Sequence, residues 1–303
     1  MIQSLLNEIA SHGNKGAIVP ISRIDDLKQD MEDLKNSDYH TGFIDWRAGS
    51  VDKFMPTGLD FEPRSIISAL APCPQVVIQF VYHGNPVECL LPPTYTTMNT
   101  ASSEVLLYIN NFLKPSGFKA GIADQLPEKL LAVHCGLGKY GRNNICYNDT
   151  FGSYMRILTY VSDLPCGHAD WFPIKRMDAC EKCHACVMAC PTRAIASDHN
   201  VINADVCLTS INEHSGAFPD WIDKGAHNSL VGCMKCQSCC PQNRCNRNNT
   251  EIGVSFTEAE TTELLEHKEG STYSDMLMEK IKTAGITTYA QVLPRNLAAL
   301  LHI

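Results

Sequence analysis

The chain has 303 residues, 44% of them hydrophobic and 19% charged, with a formal net charge of −8. These values exclude wholesale disorder and leave room for two domains, or for one domain carrying a large inserted module. The acidic balance argues against an extensive nucleic-acid surface, although it is compatible with a local basic patch.

Apolar spacing at Ile2, Leu5, Leu6 and Ile9 predicts a first helix, which Gly13 can stop. Leu27, Met31 and Leu34 predict a second. The runs SIISAL at 65–70 and VVIQFVY at 76–82 read as strands, with Ala71–Pro74 as the turn between them. Residues 103–113 read as a helix that stops before Pro115, and another helix runs from near Pro127 to His134. MRILTYV at 155–161 reads as a strand. Helices and strands alternate here, so residues 1–165 are expected to form an α/β or α+β layer domain. From 166 to 249 cysteine, proline, asparagine and glycine dominate. Such a segment buries little apolar area, so metal–thiolate bonds would have to hold it. Residues 250–303 return to helical signals: a capping box at Thr257 and Glu260, a helix over about 274–284, and a last helix opened by Pro294 over Arg295–Leu301. The start lacks a basic region followed by a long apolar one, and no stretch reaches the length of a membrane span. A cytoplasmic, reducing location is therefore expected.

Of fifteen cysteines, none lies in the first 72 residues and ten lie within 180–245. Under reducing conditions such crowding points to metal rather than disulfides. The first motif is Cys180-x-x-Cys183-x-x-Cys186-x-x-x-Cys190-Pro191. Two-residue gaps let one loop wrap a [4Fe–4S] cubane, and in two-cluster ferredoxins the Cys-Pro cysteine turns away to the other cluster. The second motif, Cys233-x-x-Cys236-x-x-x-Cys240-Pro241, is one cysteine short, and Cys207 can supply it. The expected sets are Cys180, Cys183, Cys186 and Cys240 for one cluster, and Cys190, Cys207, Cys233 and Cys236 for the other. Zinc also uses Cys-x-x-Cys pairs but has no need of two crossed Cys-Pro endings. A register slip would put Cys239 in place of Cys240; Cys240 is preferred because it precedes Pro241 and repeats the first motif's gap. Cys73, Cys89, Cys135, Cys146, Cys166, Cys239 and Cys245 are expected to be small buried apolar residues.

Gly136-x-Gly138-x-x-Gly141 matches the dinucleotide fingerprint as a string. That fingerprint needs a strand before it and a helix after it, whereas a helix precedes it here. The glycines are expected to end a helix and to permit close backbone approach, and NAD is not expected.

The cysteine order, the stretch EKLLAVHCGLGKYGRNNICYNDTFGSYMRILTYVSDLPC and the ending LPRNLAALL resemble the epoxyqueuosine reductase family over about residues 120–303, with weaker similarity around Arg64–Ala71. That family is related in design to reductive dehalogenases. The resemblance implies an α+β chain in three parts: an α/β cobalamin-binding-type domain, a ferredoxin-like double [4Fe–4S] module and a short helical tail. It implies a cobalamin beside the first cluster, with Gly136, Gly138, Gly141, Arg142 and Asn143 as candidate contacts. It also implies a proton-donating aspartate. Asp124 is the candidate, four residues before Glu128 where the family has six. The expected function is a cobalamin-dependent reductase fed by a flavodoxin- or ferredoxin-type donor. The alternative is an electron carrier or corrinoid activator without its own substrate. The family's Arg-Asp-Tyr-His segment and its added helical repeats are not found, so a small electrophile or a corrinoid, entering beside Tyr95–Met98, is expected rather than tRNA.

Overall fold

The computed structural model describes residues 1–39, 41–96, 100–268 and 270–303. Its strands, in chain order, are β1 (Lys15–Pro20), β2 (Ser65–Pro72), β3 (Gln75–Tyr82), β4 (Asn85–Leu91), β5 (Ala120–Ile122), β6 (Lys139–Tyr140), β7 (Cys146–Tyr147), β8 (Met155–Ser162) and β9 (Thr250–Phe256). They form a four-stranded sheet of order β1-β2-β8-β5, a three-stranded sheet of order β4-β3-β9, and the small hairpin β6-β7.

Every pairing in the four-stranded sheet is antiparallel. The first part of the chain is therefore an α+β layer structure, the second of the two options left open by the sequence. β2 is buried from Ser65 to Ala71 because both sheet faces are covered. Ile67 and Ala69 pack with Leu5, Ile9, Val105 and Ile109, from the helices Ile2–Ser11 and Thr100–Leu113. Ile66 faces the other way, toward Leu27, Met31 and Leu131, from the helices Arg23–Lys35 and Glu128–His134. This alternation follows from the two-residue period of a strand.

The two strands expected around the Ala71–Pro74 turn belong to different sheets. β3 turns instead into β4 through His83 and Gly84, both at positive φ (49° and 73°), and takes β9 as a parallel neighbour on its other side. The β3-β4 hairpin shares its core with the last helices. Ile78, Phe80 and Leu91 pack with Phe256, Leu264, Ile281 and Leu297. The boundaries 1–165, 166–249 and 250–303 therefore do not cut the fold cleanly, because a hairpin of the first part completes its sheet with a strand of the third. The tail is helical apart from β9. Its capping box is present at Thr257 and Glu260, and its helices run over Glu258–Leu265, Asp275–Thr283 and Leu293–Leu301.

The last helix also holds the cysteine-rich module. Asn296 is 1% exposed, and its Nδ2 donates to the carbonyls of Asn212 and Leu230, each at 2.9 Å. Arg295 donates to the carbonyls of Gly216 and Ile211 and stacks its guanidinium 4.0 Å from the Phe218 ring. The Arg-Asn pair in LPRNLAALL is thus a clamp on the loop between Cys207 and Cys233. Replacing Asn296 by Leu strands the Leu230 carbonyl and leaves that of Asn212 to Arg295 alone, and a loss of about 1–3 kcal/mol is expected. Thermal unfolding of the two proteins at equal metal content checks this, and an unchanged melting temperature would count against the clamp.

Candidate metal centre

The cysteine-rich module folds as short turns of helix linked by loops. Ala185–Ala189, Leu208–Glu213 and Lys235–Ser238 are its α-helical pieces, and the first and last of these pack on each other. Its thiols line two cavities. The larger, about 330 Å³, carries Cys190, Cys207, Cys233 and Cys236 on its wall. The smaller carries Cys180, Cys183, Cys186 and Cys240. Cys239 lines neither, and its Sγ turns back to donate to the Cys236 carbonyl at 3.5 Å. Among the described residues, no three His, Cys, Asp or Glu side chains converge as a group suited to one metal ion. The thiols stand around spaces rather than around a point.

N–H groups aim at the sulfurs. The Ala194 amide donates to Cys190 Sγ at 3.3 Å, and Asn228 Nδ2 donates to Cys233 Sγ at 3.2 Å. Such donors stabilise a thiolate and tune the potential of a cluster bound to it. Burial pushes the Cys186 thiol up to about 11 and raises Cys207, Cys233 and Cys236 as well. Thiols in this state give up their protons when a cation shares the cavity. The donor set and its shape therefore fit two thiolate-ligated clusters.

Arg142, 2% exposed, is spent on the first motif. Its guanidinium donates to the carbonyls of Cys180, Cys183 and Ser197. Asn143 lies between the two cavities, lining both, and donates to the Tyr147 hydroxyl at 2.9 Å. The glycines that precede them are needed for packing within the chain. A Cβ on Gly138 would lie 2.5 Å from Cys146 Sγ and 2.9 Å from the Tyr147 carbonyl. One on Gly136, which has φ +73°, would lie 2.7 Å from the Phe172 ring, and one on Gly141 2.6 Å from Asn143 Oδ1. The nearest neighbours of Gly136, Gly138 and Arg142 are thus side chains and carbonyls of this protein, while Gly141 and Arg142 also line the smaller cavity. The loop also follows a helix and runs into the β6-β7 hairpin, so the dinucleotide context is absent.

One further expectation changes. Tyr95 is 6% exposed and packs with Leu230 and Val231, so it does not flank an entrance. Its hydroxyl donates to Glu213, which lines the large cavity, and Gly232 leaves room for that hydroxyl. Thr97 and Met98, at the far end of the expected entrance, lie outside the described residues. Asp124 is exposed, accepts a hydrogen bond from Gln125 at 3.3 Å and lines neither cavity. Of the other cysteines, Cys73, Cys89, Cys146 and Cys166 are buried as expected, whereas Cys245 is exposed.

A sequence profile described as the 4Fe-4S double cluster binding domain matches residues 179–243. The epoxyqueuosine reductase of Cyclobacterium marinum is 35% identical over 125 residues, which cover 41% of this chain and 39% of that protein. That of Escherichia coli is 32% identical over 131 residues, covering 42% and 33%. The chain is similar to these epoxyqueuosine reductases over about two fifths of its length. Its alignments span less than half the length of these curated relatives. The fold agrees over the whole chain with an epoxyqueuosine reductase from Bacillus subtilis whose catalytic aspartate loop is swung out of the active site (TM-score 0.74, 21% identity, 99% of this chain and 80% of that one). It agrees also with an epoxyqueuosine reductase bound to an epoxyqueuosine-modified tRNA-Tyr stem loop (TM-score 0.66, 19% identity, 99% and 80%). Among the described residues no helix is long and apolar enough to cross a membrane.

One carboxyl near Asp124 was not singled out in the sequence. Burial pushes Glu128, the first residue of its helix, up to about 7 from an ordinary value of 4.5. Arg156 and Arg47 oppose this shift and Asp124 adds to it. The folded state then holds a proton that the unfolded chain has lost between pH 4.5 and about 7. Stability from this group is present below about 4.5 and is lost as pH rises through about 7. Glu128→Gln is expected to flatten that decline and to stabilise the protein by about 2 kcal/mol at pH 8. Denaturant melts of both proteins across pH 5–8 measure it, and parallel pH profiles would show that Glu128 does not carry the effect.

Proposed function

We propose that this chain is an iron–sulfur reductase of the epoxyqueuosine reductase type holding two [4Fe–4S] clusters. One would be bound by Cys180, Cys183, Cys186 and Cys240, the other by Cys190, Cys207, Cys233 and Cys236. The observation that carries the reading is the sorting of eight thiols into two cavities, four and four, with each Cys-Pro cysteine on the wall of the other motif's cavity. Iron adds and releases single electrons without a large change in ligand geometry, so two clusters packed through Asn143 suit a relay. Arg142 fixes the Cys180–Cys183 loop and sets a positive charge beside it. That charge favours the reduced, more negative form of the first cluster.

The acceptor is proposed to enter the large cavity. Beyond the thiols its wall is mostly apolar, with Leu34, Phe43 and Ile44 on one side and Val201, Ile202 and Leu208 on the other. Cobalamin is the acceptor the family resemblance suggests, and its low-valent cobalt would supply a strong nucleophile and reductant. Phe43, Ser210 and His214 are the residues proposed to meet its edge, in place of the glycine loop, which puts it beside the second thiol set rather than the first. Lys129, on the same wall, is held by Asn144 through bonds of 2.7 and 2.9 Å and presents a positive charge to the cavity. Asp124 is proposed as the proton donor, from the exposed turn before the helix Glu128–His134; the Bacillus subtilis relative has a catalytic aspartate loop that is swung out of its active site.

Anaerobic reconstitution is expected to give about eight irons and eight sulfides per chain. Cys183→Ala and Cys207→Ala should each lose about half, while Cys239→Ala should keep all of it. Full iron in Cys207→Ala would overturn the ligand sets, and gel-filtered protein that retains no cobalt after incubation with cobalamin would remove cobalamin from the reading. Epoxyqueuosine-bearing tRNA is the substrate probe. With 25 basic residues against 33 acidic ones, weak, salt-sensitive binding is expected. Tight binding at physiological salt with turnover of the epoxide would make tRNA the substrate.

A further inference from the structure

Charge is unevenly distributed in this chain. Over 180–193 and 233–249 there are five Lys or Arg residues and one acid, in a protein that carries 25 basic residues against 33 acidic ones overall. Three pieces of these segments meet at the smaller cavity: the loop 180–183, the helix Ala185–Ala189, and the turn that follows Cys240. Their outward side chains must therefore surround that cavity. Lys182 lies between two of its cysteines, Arg244 comes one turn after a third, and Arg247 follows; all three are exposed and none forms a side-chain ion pair among the described residues. Met188, two residues beyond Cys186, is 81% exposed, the highest value among the exposed large hydrophobic residues described. The large cavity is lined by other pieces, among them the helix Gly42–Ala48 and the loop before Leu208.

We propose that this face, which carries the exposed Met188 together with Lys182, Arg244 and Arg247, is the docking surface for a small acidic one-electron carrier protein. The proposal rests on the cluster assignment above and adds the direction of flow: electrons enter at the first thiol set and leave from the second. In the docked pair one electron passes from the reduced carrier to the cluster. The carrier is oxidised by one electron, the [4Fe–4S] core goes from 2+ to 1+, and no bond is made or broken. An exposed apolar side chain on a cationic face suits a brief encounter: the charges steer association in a salt-dependent way, and the small contact permits fast release. The alternative role for these cations is to offset the negative charge of the thiolate-ligated clusters. That role would tie them to the cluster potentials, whereas docking would not.

The test uses the full chain with both clusters reconstituted and a purified acidic flavodoxin, reduced to its hydroquinone, as the probe. Stopped-flow absorbance follows cluster reduction in the wild type, in a Lys182→Glu/Arg244→Glu variant and in Met188→Asp. Iron, sulfide and midpoint potentials from mediated titration are measured on the same samples. The expected result is a rate at low ionic strength at least about tenfold lower in the charge-reversal variant. The wild-type rate should fall steeply with salt, the variant's rate should respond little, Met188→Asp should be slowed at every salt concentration, and iron content and potentials should be unchanged. Equal rates in wild type and variants, a wild-type rate indifferent to salt, or a slowdown matched by shifted potentials would each overturn the docking surface. So would loss of RNA binding in the charge-reversal variant with an unchanged flavodoxin rate, which would assign the patch to nucleic acid. Absence of iron from the wild type would instead sink the cluster assignment itself, so the two failures are distinguishable.

Discussion

The cysteine-rich module depends on hydrogen bonds that other parts of the chain make to its carbonyls. A loop that wraps a cluster turns its amides inward toward sulfur and so leaves its carbonyls facing out. Buried carbonyls without partners are costly, on the order of 1–3 kcal/mol each. Here buried side chains from outside the motifs answer them. Arg142 reaches the first motif from the loop after the helix Glu128–His134, and Asn296 and Arg295 reach the long connection between Cys207 and Cys233 from the last helix. Asn243, wholly buried, joins Ser153 to Gln237 from within the module. The module has few apolar residues of its own, so these donors hold its loops where packing cannot.

The same arrangement explains why a glycine string that suggests a nucleotide site has another role. Gly138 and Gly141 bring the backbone against Cys146, Tyr147 and Asn143, and that close approach seats Arg142 and Asn143 against the thiol loops. A corrin surface and a loop anchor ask for the same residue type, because both need backbone without a side chain in the way. Only the neighbours distinguish them.

Features with a short-range cause were legible in the sequence. Helix positions followed from apolar period and punctuation, the capping box at Thr257 and Glu260 from its own four residues, and the double-cluster character of residues 179–243 from cysteine spacing. What was not legible depends on distant partners. Nothing local says that β3 will take β9 as its parallel neighbour, with Val76 opposite Glu251. The β3-β4 turn carried a usable signal in His83-Gly84, but the sequence between Pro86 and Leu91 lacks clean alternation. The raised carboxyl of Glu128 could not be read from its own segment, because the burial that raises it and the nearby Arg47 and Arg156 come from other elements. Tyr95 looked like a rim residue only because its partner, Glu213, lies far along the chain.

The β3-β9 pairing also bears on how the molecule is assembled. During synthesis the β3-β4 hairpin is made long before β9, and the whole thiol module is made in between. Until Thr250–Phe256 appears, one edge of that hairpin and the apolar side chains Ile78 and Phe80 have no cover. Closing a loop of that length costs conformational entropy in advance of the contacts that reward it. Anything that first shortens the loop lowers this cost, and four thiols gathered on one cubane shorten it considerably. Iron would then act as a folding ligand for a sheet it never touches, and a chain starved of iron would expose a strand edge and become prone to association with its own copies.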